Sequence, residues 1–103
     1  MLYQSKCQSL ADDIVRLVQP LRVIVFGSVA RGAKRPRDID LLVVVPRGRD
    51  TRADSHKLYS SLTRRGMPID LVVIDEDQFT ELGNTPWSVV AEAVAGGKLL
   101  YAA

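Results

Sequence analysis

The sequence predicts a single two-layer α/β (α+β) domain: a mixed sheet of three to four strands with helices packed on it. Three observations predict it. Three apolar, β-branched runs of strand length, residues 21–26 (LRVIVF), 38–45 (DIDLLVVV) and 69–74 (IDLVVI), alternate with segments of helical periodicity. The first two runs are separated by only about a dozen residues, too few for a long helical crossover, so the sheet should not be purely parallel. The chain has 103 residues, 47% of them hydrophobic and 25% charged, which suits one core and one domain over 1–103.

The elements follow in order. Cys7, Leu10, Ile14, Leu17 and Val18 recur at helical spacing, so residues 4–18 read as an amphipathic helix that Pro20 stops. The first strand, 21–26, closes on Gly27, and residues 28–31 make at most one helical turn before Gly32. Residues 33–37 form a basic loop, and the second strand occupies 38–45. Asp50 or Thr51 caps a helix over 52–65 with Leu58, Tyr59 and Leu62 inward, ended by Gly66 and Pro68. The third strand is 69–74, and residues 75–83 are expected to be an acidic loop with a short helical turn. Thr85-Pro86 should open the last helix, whose stripe is Trp87, Val90, Ala91, Val94 and Ala95, with Trp87 in the core. Gly96-Gly97 ends that helix, and residues 99–101 add a short edge strand.

Composition excludes several classes. The longest clean apolar run is 41–45, far short of the ~20 residues of a membrane helix. The first 13 residues, MLYQSKCQSLADD, lack the basic and apolar regions of a signal peptide, and the expected compartment is the reducing cytoplasm. One cysteine, Cys7, and one histidine, His56, leave no disulfide framework and no Cys/His metal site. Cys7 reads as a small core hydrophobe and His56 as a surface residue. Charge is uneven: residues 31–65 carry ten Lys/Arg against four Asp/Glu, and residues 66–103 carry one against six. A basic middle fits an anionic ligand, and equally a solvated face. Direct nucleic-acid binding is disfavoured, because the basic segment lacks interleaved aromatics.

The stretch that carries chemistry is residues 26–45, FGSVARGAKRPRDIDLLVVV. A strand that ends in Gly27-Ser28 and turns at once into a helical turn exposes backbone N–H groups and a hydroxyl to phosphate oxygens, and Arg31 adds a charge. By itself a Gly-Ser between strand and helix is usually just a turn and a cap; it fits neither G-x-G-x-x-G nor a P-loop. Asp38 and Asp40, two apart on a strand, share a face about 6.5 Å apart. Two carboxylates so placed repel each other unless the strand start is solvated or they grip hard cations, and Mg²⁺ favours one or two carboxylates plus substrate phosphates. Asp70, second in the third strand, joins them if strands two and three are neighbours; otherwise it is a polar outward residue.

These segments, FGSVARG, DIDLLVV and PIDLVVID with a terminal GKLLY, resemble the minimal nucleotidyltransferases of the DNA polymerase β-like superfamily over nearly the whole chain. Nine residues separate Ser28 from Asp38, one fewer than in many members, and Arg37 stands where Ser is usual, so the loop is short and basic. The resemblance implies the nucleotidyltransferase fold. It implies that Gly27 and Ser28 hold the β- and γ-phosphates of ATP or another nucleoside triphosphate. It implies that Asp38 and Asp40 bind two Mg²⁺ ions, and that Asp70 ligates one and helps deprotonate an acceptor hydroxyl. The expected reaction transfers a nucleoside monophosphate, AMP first among them, and releases pyrophosphate. No acceptor domain is expected within this length. The resemblance therefore implies a partner, a helical HEPN-type toxin whose tyrosine receives AMP, this chain being the antitoxin. The rival reading is a catalytically weak module that neutralises a partner by occlusion. No membrane partner is expected, and a homo-oligomer stays open.

Overall fold

The computed structural model describes residues 2–33, 38–62 and 68–103. In chain order the elements are α1 (Leu2–Val18), β1 (Arg22–Phe26), α2 (Gly27–Ala30), β2 (Ile39–Val45), α3 (Thr51–Leu62), β3 (Ile69–Asp75), α4 (Glu76–Gly83), α5 (Val89–Gly96) and β4 (Lys98–Ala102). The strands form one sheet in the order β3-β2-β1-β4. β1 pairs antiparallel with both β2 and β4, while β2 and β3 are parallel and linked through α3. The sheet is therefore mixed and four-stranded. The short β1–β2 connection explains the antiparallel pair, and the long β2–β3 connection permits the parallel one.

Each face of the sheet has its own apolar cluster, because side chains alternate along a strand. Val23 and Val25 of β1, with Ile39, Leu41, Val43 and Val45 of β2, pack under α1 and α3 with Leu10, Ile14, Leu58 and Leu62. Ile24 and Phe26, with Leu42, Val44 and Ile74, pack under α4 and α5 with Val90 and Ala93. α1 and α3 form the expected helical layer, and α4 and α5 add a thinner one opposite. Burial on both faces is why β1 and β2 read as continuous apolar runs and not as alternating ones. The inward stripe of α1, including Cys7 at 2% exposure, is buried as its spacing predicts. Each fully buried aliphatic side chain contributes roughly 1.5–3 kcal/mol.

α1 ends on a left-handed Gln19 (φ 46°), and Arg49 donates to the Val18 carbonyl while pairing with Asp54 of α3. That arginine ties the end of α1 to the start of α3. Asp50 supplies the cap of α3, accepting from the Ala53 N–H. No helix among the described residues is long and apolar enough to cross a membrane.

Four expectations change. Residues 76–83 form a full helix and not a loop with a turn, because Asp75 and Gln78 close a reciprocal capping box. The last helix starts at Val89, not at Pro86: Ser88 takes the cap by accepting from the Ala91 N–H, while Thr85 bonds back to the Glu81 carbonyl at the end of α4. Trp87 therefore falls in the intervening turn with φ 69° and is 99% exposed, not in the core. Val94 and Ala95 are also exposed, and Ala93 takes the buried place. Most of the basic 33–37 loop, and the end of the 52–65 helix, lie outside the described residues.

Candidate active site

The carboxylates converge through register. Asp40 is the second residue of β2 and stands directly beside Asp70 of β3 in the parallel pairing. On its other side it stands beside Phe26, the last residue of β1. Neighbouring strands lie about 4.8 Å apart, so Asp40 and Asp70 project as a pair from adjacent strands. Asp40 shares a face with Leu42 and Val44, and Asp70 with Val72 and Ile74, the face that α4 and α5 cover further along. Asp38 immediately precedes β2, two residues from Asp40. The three carboxylates gather at one end of the sheet, where Phe26 gives way to the Gly27 turn.

That turn is built for close approach. Phe26 is extended (φ −138°, ψ −170°) and Gly27 switches to φ 70°, the left-handed region that glycine enters without cost. α2 is a single turn, closed by the Arg31 N–H on the Gly27 carbonyl (3.1 Å) and the Ala33 N–H on the Ser28 carbonyl (3.0 Å). A Cβ on Gly27 would overlap Oδ2 of Asp40. The Gly27-Ser28 turn and the Asp40 carboxylate are thus in direct contact, two motifs far apart in sequence made into one site.

Among the described residues the charge at this site is unbalanced toward negative. The Asp40 carboxyl is held above the usual carboxylate range, first by burial, then by Asp38, Asp70 and Glu92; among the described residues Arg31 opposes them. Exposure grades across the site, with Asp40 half-buried and Asp70 exposed. Among the described residues no three acidic, imidazole or thiol side chains draw together into a ready-made metal cage. The available donors are oxygen atoms on adjacent strands. That set suits a hard divalent cation which keeps waters and substrate phosphates among its ligands.

All six sequence-predicted site residues, Gly27, Ser28, Arg31, Asp38, Asp40 and Asp70, fall at this end of the sheet. Two neighbours were not anticipated. Glu92 of α5 lies 3.7 Å from the Arg31 guanidinium and adds to the field on Asp40. The signal was present in sequence, since Glu92 is the sole charge in VVAEAVAG. Tyr59 of α3 accepts from the Leu71 N–H (2.8 Å) at the free edge of β3, and its hydroxyl lies 3.5 Å from Asp70 Oδ1. His56 is exposed on α3, away from any metal-binding cluster among the described residues.

Comparison with known proteins bears on the family and the fold. A family model for the nucleotidyltransferase domain matches residues 7–99. No curated protein sequence matches the chain. Among solved structures, a candidate nucleotidyltransferase of Sulfolobus solfataricus is similar at TM-score 0.59 and 25% identity, covering 96% of this chain and 83% of that one. A toxin–antitoxin structure with AMP-PNP is similar at TM-score 0.55 and 21% identity, over 93% of this chain and 73% of that one. The complex of a tri-AMPylated HEPN toxin with its MNT antitoxin, from Shewanella oneidensis, is similar at TM-score 0.54 and 20% identity, over 93% of this chain and 72% of that one. With the family model spanning nearly all of it, the chain belongs to the nucleotidyltransferase domain family.

Proposed function

We propose that the chain transfers a nucleoside monophosphate, AMP in the first instance, from a nucleoside triphosphate to a hydroxyl of a helical HEPN-type partner. In this role it is the antitoxin of a toxin–antitoxin pair acting in the cytoplasm. The observation that carries the reading is the contact between the Gly27 turn and Asp40, flanked in register by Asp70. It joins the strand-to-helix turn at Gly27-Ser28 to a carboxylate cluster with more negative charge than Arg31 can offset.

Asp38, Asp40 and Asp70 would hold Mg²⁺, which when bound neutralises phosphate charge and eases ionisation of the acceptor hydroxyl. Gly27 lets the triphosphate approach the backbone, the Ser28 hydroxyl donates to a phosphate oxygen, and Arg31 offsets its charge. Asp70, the most open of the carboxylates that are paired in the sheet, takes the proton of the acceptor hydroxyl. That oxygen bonds to the α-phosphorus as the bond to the β-phosphate oxygen breaks, and pyrophosphate leaves. The contribution of the protein is position and charge. Support for the partner comes from the structural neighbours, one of which pairs an MNT antitoxin with an AMPylated HEPN toxin.

Calorimetry with ATP and Mg²⁺ tests the site. The wild-type chain should bind Mg·ATP, and Asp40→Asn should bind at least tenfold more weakly, as expected for loss of a charged ligand (about 1.4 kcal/mol per decade). Equal affinity in both would remove Asp40 from the site.

A further inference from the structure

Arg31 is fixed at its backbone by the turn it closes, and its side chain, 65% exposed, extends toward α5. There its Nη1 lies 3.7 Å from Glu92 Oε1. α5 is anchored independently of that contact: Ser88 caps it, and Val90 and Ala93 are buried against the sheet near Ile24 and Phe26. Glu92 therefore stands on a rigid element beside the predicted nucleotide site, without being one of its expected residues.

Building on the proposed nucleotidyl transfer, we propose that Glu92 is a positioning residue that keeps the Arg31 guanidinium at the Gly27-Ser28 turn, ready for a nucleotide phosphate. The separation of 3.7 Å is longer than a hydrogen bond, so Glu92 attracts the guanidinium without occupying its N–H groups. The planar fork of an arginine presents several donors, and those not consumed remain available for a bidentate grip on phosphate. Arg31 also feels Asp40, which is the carboxylate a divalent cation would claim. With Asp40 so engaged, Glu92 remains as the counter-charge that keeps Arg31 at the site.

Two plainer roles make different predictions. As a carboxylate in the first turn of α5, Glu92 would stabilise the helix end and affect folding alone. As a bare negative charge, it would repel the triphosphate. A double-mutant cycle on Mg·ATP binding separates these, using wild type, Glu92→Gln, Arg31→Ala and the double variant, with Tm measured for each. The nucleotide-induced rise in Tm reads the same cycle where calorimetric binding is weak. Glu92→Gln is expected to weaken Mg·ATP binding about two- to fivefold, the range of an exposed ion pair. In the Arg31→Ala background the same substitution should change nothing. Unchanged or tighter binding by Glu92→Gln, or an equal loss in both backgrounds, would overturn the inference. A wild-type chain that binds no Mg·ATP would overturn the functional reading, and this inference with it.

Discussion

Replacing Gly27 with alanine tests the contact that unites the site. The substitution adds one methyl at φ 70°, where L-residues other than glycine lose roughly 1–2 kcal/mol. The added Cβ would also overlap Oδ2 of Asp40, so the carboxyl must rotate away from its well, at about 0.5–1.5 kcal/mol. Together the loss is about 1.5–3.5 kcal/mol. At roughly 4–8 °C per kcal/mol for a domain of this size, Tm should fall by about 6–28 °C. Urea or thermal unfolding of Gly27→Ala, Asp40→Ala and the double variant separates the two contributions. With Asp40 truncated the overlap vanishes while the backbone cost stays, so the two substitutions should couple by about 0.5–1.5 kcal/mol. Strict additivity would mean that Asp40 does not lie against Gly27, and the geometry of the site would be wrong.

Two further predictions follow from the titratable groups. Because burial and three neighbouring carboxylates raise the Asp40 pKa in the folded state, its ionised form opposes folding at neutral pH; without Mg²⁺, Asp40→Asn should raise Tm at pH 7, and the gain should shrink as pH falls from the raised folded-state pKa toward the ordinary Asp value, below which it is gone, which a pH series of melts reads directly. Burial likewise pushes the Cys7 thiol up, so at pH 8 a thiol reagent should label it far more slowly in the native chain than in denaturant, whereas equal rates would contradict the packing of α1 against the sheet.

Most of the sheet was legible in sequence because both faces of β1 and β2 are covered, which forces unbroken β-branched runs. The Asp38–Asp40 pair was legible for the opposite reason: two carboxylates at the head of such a run have no packing role. Whether Asp70 joins them depended on register, which a strand sequence alone does not fix; the parallel pairing of Asp40 with Asp70 supplies it. The start of α5 went astray because Thr85-Pro86 and Ser88 are both plausible openings by residue type. Tertiary context decided, with Thr85 engaged by the last turn of α4 and Trp87 left in the turn between helices. The α4 capping box, Asp75 to Gln78, was present in the sequence but hidden among acidic neighbours that favour a solvated loop equally well. Glu92 was missed because a single charge on an apolar helix says nothing about which element it will face.

The central claim is transfer of AMP by the Asp38, Asp40 and Asp70 site to a partner hydroxyl. Its most direct measurement is the intact mass of a HEPN-type partner encoded beside this chain, after incubation with the chain, ATP and Mg²⁺. With the wild-type chain the partner should gain the mass of one or more AMP groups. It should gain none with Asp38→Ala, which should still associate with the partner. Association without added mass in wild type and variant alike would contradict catalysis and leave neutralisation by occlusion.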